Sequence, residues 1–225
     1  MASAPRERRR PVIQYLRTGV RSGGRRILDA FDLSVKPGEA VWLSGPPGGA
    51  QGFLARMVAG MAAPSEGTVL VDDLNPARLD LKGLQALRRT VSCVFDDEPP
   101  SWMDTDAWVA LGLHLAGRPW EESFKAAVAE LDAAGLKALA RVPHREIPRD
   151  CRFAVALIRA LERRSRNLAV DWPGGLDGSV PESVLISLKS FLTGGGAAIF
   201  TGGPGEWGAP LGGRAVTLEI PGNPS

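Results

Sequence analysis

The sequence contains few of the residues that build metal centres or disulfide frameworks. Its 225 residues include only two cysteines and two histidines. Cys93 and Cys151 lie far apart and in no paired motif, so neither a Cys/His zinc site nor an oxidising compartment is expected. We expect Cys93 to be a thiol of the core, and we expect His114 and His144 to lie on the surface.

Long apolar runs are also missing. No stretch reaches the roughly 18 apolar residues of a membrane-spanning helix, and no apolar segment follows the charged N-terminal residues, so neither a span nor a secretory signal is expected. No basic face with interleaved aromatic residues is present, which argues against a nucleic-acid partner. The charges nearly balance, with 27 Lys and Arg against 25 Asp and Glu, and the hydrophobic share of 44% is that of an ordinary globular protein.

Apolar patterning divides the chain into a short arm and one large domain. Residues 1–11 form a basic arm, which we expect to be solvated and frayed, with contact to acidic lipid or RNA as the alternative. From residue 12 to residue 225, strand patterns alternate with helical ones, which predicts an α/β fold with a largely parallel sheet. The predicted strands cover 12–16, 27–35, 40–44, 68–71, 90–95, 168–170, 197–201 and 215–220. A helical stretch covers about 102 to 161.

One unit combines a strand, a glycine-rich loop and a helix. Such units hold phosphates because backbone N–H groups and the helix N-terminus point at the anion. The nucleotide-binding pattern is G-x-x-x-x-G-K-[ST]. Gly45 fits its first glycine, whereas Ala50, Gln51 and Gly52 stand where the second glycine, the lysine and the Mg²⁺-binding hydroxyl belong. The candidate loop residues are Gly45, Pro46, Pro47, Gly48, Gly49, Ala50, Gln51 and Gly52.

The order of the remaining motifs resembles the ATP-binding subunits of ABC transporters, most closely the FtsE cell-division and LolD lipoprotein-release type. The resemblance extends from Val12 to Ile220. It is carried by SGPPGGAQGFLARMVAGMAAPSEGTVLVDD at 44–73, by the triplet LRR at 87–89 and by LAVDWPGGLD at 168–177. It implies a P-loop NTPase core with an N-terminal antiparallel β region and an inserted helical subdomain at about 97–163.

The resemblance also implies catalytic positions, most of which carry other residues here. The glutamine that senses Mg²⁺ falls on Asp96, the general-base glutamate on Trp172 and the switch histidine on Gly202. Only the Walker B aspartate is kept, as Asp171. The signature LSGGE falls on Ile147, Pro148, Arg149, Asp150 and Cys151.

Each replacement removes a contribution to hydrolysis. Gln51 lacks the lysine charge, whose bonds to phosphate are worth roughly 1.5–3 kcal/mol each, and Gly52 lacks the Mg²⁺ ligand. Trp172 cannot act as a base, a role worth about 10²–10⁴ in rate. At the signature, Pro148, Arg149 and Asp150 put a rigid ring, a long cation and an anion where, as the resemblance implies, the opposing subunit approaches the γ-phosphate. We therefore expect no catalytic residue and no metal.

Two functions remain open. The first is a pseudo-ATPase of FtsE-like type, a cytoplasmic scaffold or regulatory subunit on the inner face of the cell membrane that requires no cofactor. Its partner would be an integral permease-type, FtsX-like protein, and it would pair with itself or with another ABC ATPase. The second is a subunit that still binds ATP or ADP weakly and switches or hydrolyses slowly, which Gly45, Gly48 and Gly49 favour. A small P-loop kinase is opposed by the missing lysine.

Two further features have a functional and a plain interpretation. Trp102, Trp108 and Trp120 are candidates for an aromatic patch against the membrane partner, with ordinary packing as the alternative. Arg149 is a candidate anion ligand at a helix start, and Asp96 is expected in an exposed acidic loop.

Overall fold

The computed structural model describes residues 10–96, 102–171, 180–202 and 209–219. Within these ranges no helix is both long enough and apolar enough to cross a membrane. The elements are β1 (Ile13–Ser22), β2 (Arg25–Val35), β3 (Ala40–Ser44), α1 (Gln51–Val58), β4 (Glu66–Val71), α2 (Leu81–Thr90), β5 (Val91–Phe95), α3 (Thr105–Leu115), α4 (Trp120–Ala133), α5 (Arg149–Glu162), β6 (Asn167–Asp171), α6 (Glu182–Thr193), β7 (Ala197–Thr201) and β8 (Arg214–Thr217).

The strands form two sheets. A three-stranded antiparallel sheet has the order β2-β1-β4, and a five-stranded parallel sheet has the order β5-β6-β7-β3-β8. This confirms the predicted α/β fold with a largely parallel sheet. The parallel sheet is buried on both faces, which explains why its strands are nearly continuous apolar runs.

Alternating side chains of the parallel sheet enter two different cores. Trp42 of β3 faces the helical layer and stacks on Phe200 of β7 with ring centroids 4.2 Å apart. Leu43, the next residue, faces the opposite way and packs with α1 and the antiparallel sheet. Side chains of consecutive strand residues point to opposite faces, so β3 joins the two halves of the molecule.

Tyr15 connects the antiparallel sheet to α1. Its hydroxyl donates a hydrogen bond of 2.7 Å to the carbonyl oxygen of Leu54, and both residues are buried. Burial also raises the pKa of the Tyr15 phenol, so the group stays protonated as a donor. The contact fixes the helix that follows the glycine-rich loop against the second sheet.

Replacing Tyr15 by phenylalanine is expected to lower the free energy of unfolding by about 1–2 kcal/mol, because the Leu54 carbonyl then stays buried without its donor. Urea unfolding measures the loss. Phe31, which packs against the Tyr15 ring at 5.8 Å, supplies the control. Its replacement by leucine removes aromatic contact and leaves the hydrogen bond. An unchanged midpoint for Tyr15→Phe would show that this bond contributes nothing to stability.

The helical region corrects one sequence-based expectation. His114 is exposed as expected, but His144 is buried, with only 3% of its surface accessible. Its ring lies 4.0 Å from that of Trp108, and the guanidinium of Arg159 covers the same indole at 4.4 Å. The surface assignment of His144 was therefore wrong, because a partner distant in sequence provides a stacking site.

The three tryptophans of this region occupy different environments. Trp108 is buried in the core between α3, α4 and α5, so ordinary packing accounts for it. Trp102 is 76% exposed and Trp120 45% exposed. Cys93 is only partly buried and packs against the core around Leu43, where burial raises the pKa of its thiol to about 11.

Candidate functional site

The carboxyl ends of four parallel strands bring the candidate residues to one edge of the sheet. Leu43 of β3 pairs with Thr201 of β7, and Phe95 of β5 pairs with Asp171 of β6. Just beyond the strands, the Asp96 amide donates to the Asp171 carbonyl at 3.2 Å, and the Gly202 amide donates to the Leu43 carbonyl at 2.7 Å. Open α/β sheets bind ligands at this edge.

The glycine-rich loop leads from β3 into the eight-residue helix α1. Gly48 has φ of +73°, a conformation that side chains disfavour, and the Gly49 amide donates to the Pro46 carbonyl at 2.9 Å. Ala50 is the N-cap residue of α1 and offers no side-chain cap. The first amides of the helix therefore lack a side-chain cap and face the loop.

Gln51 fills the interior of this loop with its own side chain. Its Nε2 donates to the carbonyl oxygens of Gly45 at 3.3 Å and of Pro46 at 3.1 Å. Its Oε1 is buried and has no hydrogen-bond partner among the residues that the structure describes. A methyl group at Gly49 would lie 2.5 Å from that oxygen. The amide thus lies inside the loop, against the carbonyl groups of Gly45 and Pro46 and the backbone of Gly49.

Asp171 is held by a cation and a hydroxyl. Thr201 Oγ1 donates to Asp171 Oδ1 at 3.0 Å, and Arg56 Nε lies 3.4 Å from Oδ2. Arg56 projects from α1, and its guanidinium also covers the ring of Phe95 at 4.6 Å. Asp171 is buried, so its charge is balanced inside the fold rather than by solvent.

Gly52 lies directly against this carboxylate. A methyl group built on Gly52 would sit 2.8 Å from Asp171 Oδ2 and 3.1 Å from Oδ1. Any residue with a side chain at position 52 would therefore require the aspartate to move. The packing of α1 on β6 uses the absence of a side chain there.

The residues at the signature position lie at the start of α5. Pro148 is the N-cap of the helix, and Ile147 is buried in the core. Arg149 Nη2 forms an ion pair with Asp96 Oδ2 at 2.8 Å, so this candidate anion ligand pairs with the chain's own carboxylate. Cys151 is partly buried against the core, and Asp150 lies in the first helical turn.

Two further predicted catalytic positions follow the ends of β6 and β7 in the chain. Trp172 lies outside the described residues, and Gly202 follows β7 with φ of +86°.

Sequence reasoning missed Arg56 and Thr201. Arg56 follows Gly52 by four residues, so both lie on the same face of α1. Thr201 ends the strand beside that of Asp171. The spacing between Gly52 and Arg56 was one available signal. The neighbouring ends of β6 and β7 were the other, which can be used only once the sheet order is known.

The comparisons with known proteins agree on one kind of relative. No family model matches the chain. It is 35% identical over 177 residues to the Fe(3+) ions import ATP-binding protein FbpC of Streptomyces avermitilis, covering 77% of this chain and 50% of that protein. It is 36% identical over 166 residues to the methionine import ATP-binding protein MetN of Caulobacter vibrioides, covering 72% and 50%. The chain thus spans about half the length of these curated relatives.

A third relative has a more similar length. The cell division ATP-binding protein FtsE of Escherichia coli K12 is 27% identical over 172 residues, which cover 75% of this chain and 77% of that protein. This likeness is more distant in identity than those to the import proteins.

Solved structures share the fold across nearly the whole chain. The dimeric structure of a bacterial ABC transporter cassette superposes with a TM-score of 0.78 at 24% identity, covering 92% of this chain and 94% of that one. A nucleotide-free ATP-binding cassette from an ABC transporter gives 0.74 at 15% identity, covering 93% and 88%. These likenesses confirm the predicted P-loop core with its antiparallel β region and helical layer.

Proposed function

We propose that this chain, which belongs to the family of ATP-binding subunits of ABC transporters, does not hydrolyse ATP and acts as a scaffold or regulatory subunit of a membrane complex. Its partner in this proposal is a permease-type membrane protein of FtsX-like kind. The chain would bind on the cytoplasmic face, alone, as a pair or with a second ABC ATPase. The surface of the domain, including that of its helical layer, would then bind these partners.

The observation that carries the proposal is the position of Gln51. A lysine there would place a positive charge on the phosphates. The glutamine instead donates to two carbonyl oxygens of its own loop, at 3.3 and 3.1 Å. A phosphate that enters must displace this amide and receives no cation in exchange. The loop therefore keeps the shape of a phosphate site without the charge that makes such a site strong.

The exposed side chains of the helical layer support the proposal of a membrane partner. Trp102 and Trp120 expose large apolar surfaces next to α3 and α4. Aromatic residues that stay exposed in the isolated chain are suited to anchor a partner. The name of the cell-division relative supports a division role for a member of similar length, whereas the names of the import proteins support transport.

A second function, a nucleotide-dependent switch, is favoured by the backbone of the loop. Gly48 retains its left-handed conformation, and the uncapped amides of α1 still face the loop. Backbone amides alone attract anions. Nucleotide binding without hydrolysis would then shift the conformation of the subunit.

Calorimetry with ATP and a turnover assay test this proposal. The wild-type protein is expected to show no ATP turnover. The Gln51→Lys variant is expected to bind ATP about 10- to 100-fold more tightly than wild type, because one charge-assisted bond is restored. Gln51→Glu, of nearly equal size, is the matched control and is expected to weaken binding.

The outcomes separate the two functions. Undetectable binding by wild type at millimolar nucleotide supports a scaffold. Micromolar binding that Gln51→Glu weakens supports the switch. Turnover in the purified wild-type protein that Gln51→Glu abolishes would contradict the proposal of a non-hydrolysing subunit.

A further inference from the structure

We propose that Arg56 replaces the divalent cation beside Asp171, so that the loop accepts a phosphate ligand only as a metal-free anion. This inference rests on the proposed function, because it concerns the same loop. It adds the chemical class of ligand: the di- or triphosphate of a nucleotide, or inorganic pyrophosphate, without bound Mg²⁺.

The residues present do not fit Mg²⁺. The family resemblance implies a cation held through a hydroxyl at position 52 and an aspartate at the end of the Walker B strand. Gly52 has no oxygen in a side chain, and Asp171 already accepts from Thr201 at 3.0 Å and pairs with Arg56 at 3.4 Å. Asp96, the next carboxylate along this edge, pairs with Arg149 at 2.8 Å.

The packing leaves no room for the ion. Mg²⁺ requires six oxygen ligands at about 2.0–2.1 Å in a nearly octahedral arrangement and keeps several waters. Here the backbone of α1 approaches Asp171 so closely that even a methyl group on Gly52 would lie 2.8 Å from Oδ2. On that side of the carboxylate a hydrated cation would have to separate α1 from β6, so the place left for a cation is the one that the Arg56 guanidinium fills, 3.4 Å from Oδ2.

The charge at this position is already supplied. The side chain of Asp171 is only 11% exposed, and that of Arg56 is 32% exposed. The Arg56 guanidinium also contacts the ring of Phe95, 4.6 Å from its centroid, and this cation–π contact holds it in place. Adding Mg²⁺ would place a second cation against Arg56, and like charges at this distance repel.

The same arrangement favours an uncomplexed anion. The loop offers backbone amides and the N-terminus of α1, which attract negative charge. A nucleotide without Mg²⁺ carries more negative charge than its Mg²⁺ complex. Since Arg56 already balances Asp171 and Arg149 already pairs with Asp96, the described carboxylates of the site do not gain from the metal, and binding should follow the concentration of free nucleotide.

The first experiment is calorimetry of ATP binding to the full chain in EDTA and in excess MgCl₂. We expect ATP to bind more tightly in EDTA than in excess MgCl₂, because the metal lowers the concentration of free nucleotide. Binding that is as tight or tighter in MgCl₂ would overturn the inference. Inorganic pyrophosphate in the same two buffers tests whether the phosphates alone are recognised.

The second experiment tests the role of Arg56 even where neither buffer shows ATP binding. Melting is followed with and without MgCl₂ for wild type and Arg56→Met. We expect no response in wild type and a rise of at least about 2 °C in Arg56→Met, because the metal then balances Asp171. Arg56→Lys, which keeps the charge, should behave as wild type, and Arg56→Met with Asp171→Asn should lose the response.

A wild-type protein that MgCl₂ stabilises as much as it stabilises Arg56→Met would overturn the inference. Should Arg56→Met not fold, Arg56→Lys is compared with the double variant that combines Arg56→Lys and Asp171→Asn. A MgCl₂ response that Arg56→Lys shows and the double variant loses would likewise overturn the inference. Failure here is distinct from failure of the proposed function. Tighter ATP binding in MgCl₂ without turnover contradicts only this inference, whereas turnover that Gln51→Glu abolishes contradicts the non-hydrolysing role.

Discussion

Alanine in place of Gly67 is expected to lower the free energy of unfolding by about 3–5 kcal/mol. Gly67 belongs to β4 and has φ of +77°. A methyl group there would overlap the carbonyl oxygen of Arg17 in β1. Arg17 itself has φ of +47° at an irregularity in the pairing of the two strands. Since both sides of the contact are backbone, no side-chain rotation relieves the overlap.

Gly24 supplies the matched control. It has the same φ of +77°, but no atom lies within 4 Å of a methyl group placed there. Gly24→Ala is therefore expected to lower the stability by only about 1 kcal/mol, the strain of the backbone conformation alone. Urea unfolding of both variants isolates the contribution of the close approach. Equal losses of stability for the two variants would show that the close approach of β1 and β4 adds no cost at Gly67.

Acid is expected to destabilise the protein through His144. Burial lowers the pKa of this imidazole from 6.5 to about 4, and the charges of Arg152 and Arg159 add to the effect. Above pH 6.5 the ring is neutral in both states and contributes nothing. Below it the unfolded chain binds the proton more readily, so stability falls as the pH drops from about 6.5 towards 4. The expected loss in the free energy of unfolding is about 2 kcal/mol. This is less than the full pKa shift corresponds to, because water that reaches the charged ring screens it.

Replacing His144 by phenylalanine tests this expectation. Phenylalanine keeps an aromatic ring against Trp108 and has no proton to bind. Urea midpoints measured between pH 7 and pH 4 should fall less steeply for His144→Phe than for wild type. His114→Phe, at the other histidine of the chain, should retain the wild-type slope because that ring is exposed. Parallel curves for wild type and His144→Phe would contradict the assignment.

Patterns of buried strands allowed most of the fold to be predicted. β3, β6 and β7 are short apolar runs that lie where their sequences indicate. Helix α2 was missed, because half of its residues are polar and Leu87 is its one buried residue. A signal was present, since Asp80 caps it by accepting from the Gly83 amide at 2.7 Å.

The candidate site was less accessible to sequence reasoning. The loop and Asp171 follow from motif order, but the direction of the Gln51 side chain depends on loop conformation. The ion pairs Arg56–Asp171 and Arg149–Asp96 join distant parts of the chain, and local patterns carry no information about them. The burial of His144 has the same origin, because Trp108 comes from another helix.

The ion pair between Asp96 and Arg149 is a salt-sensitive contact between the end of β5 and the start of α5. The two side chains are 31% and 45% exposed, and surface pairs of this kind contribute about 0–1 kcal/mol. The stiffness of the joint therefore depends on ionic strength. The apolar contacts between α5 and the sheet do not depend on salt, so ionic strength acts on the rim of this joint and leaves its core in place.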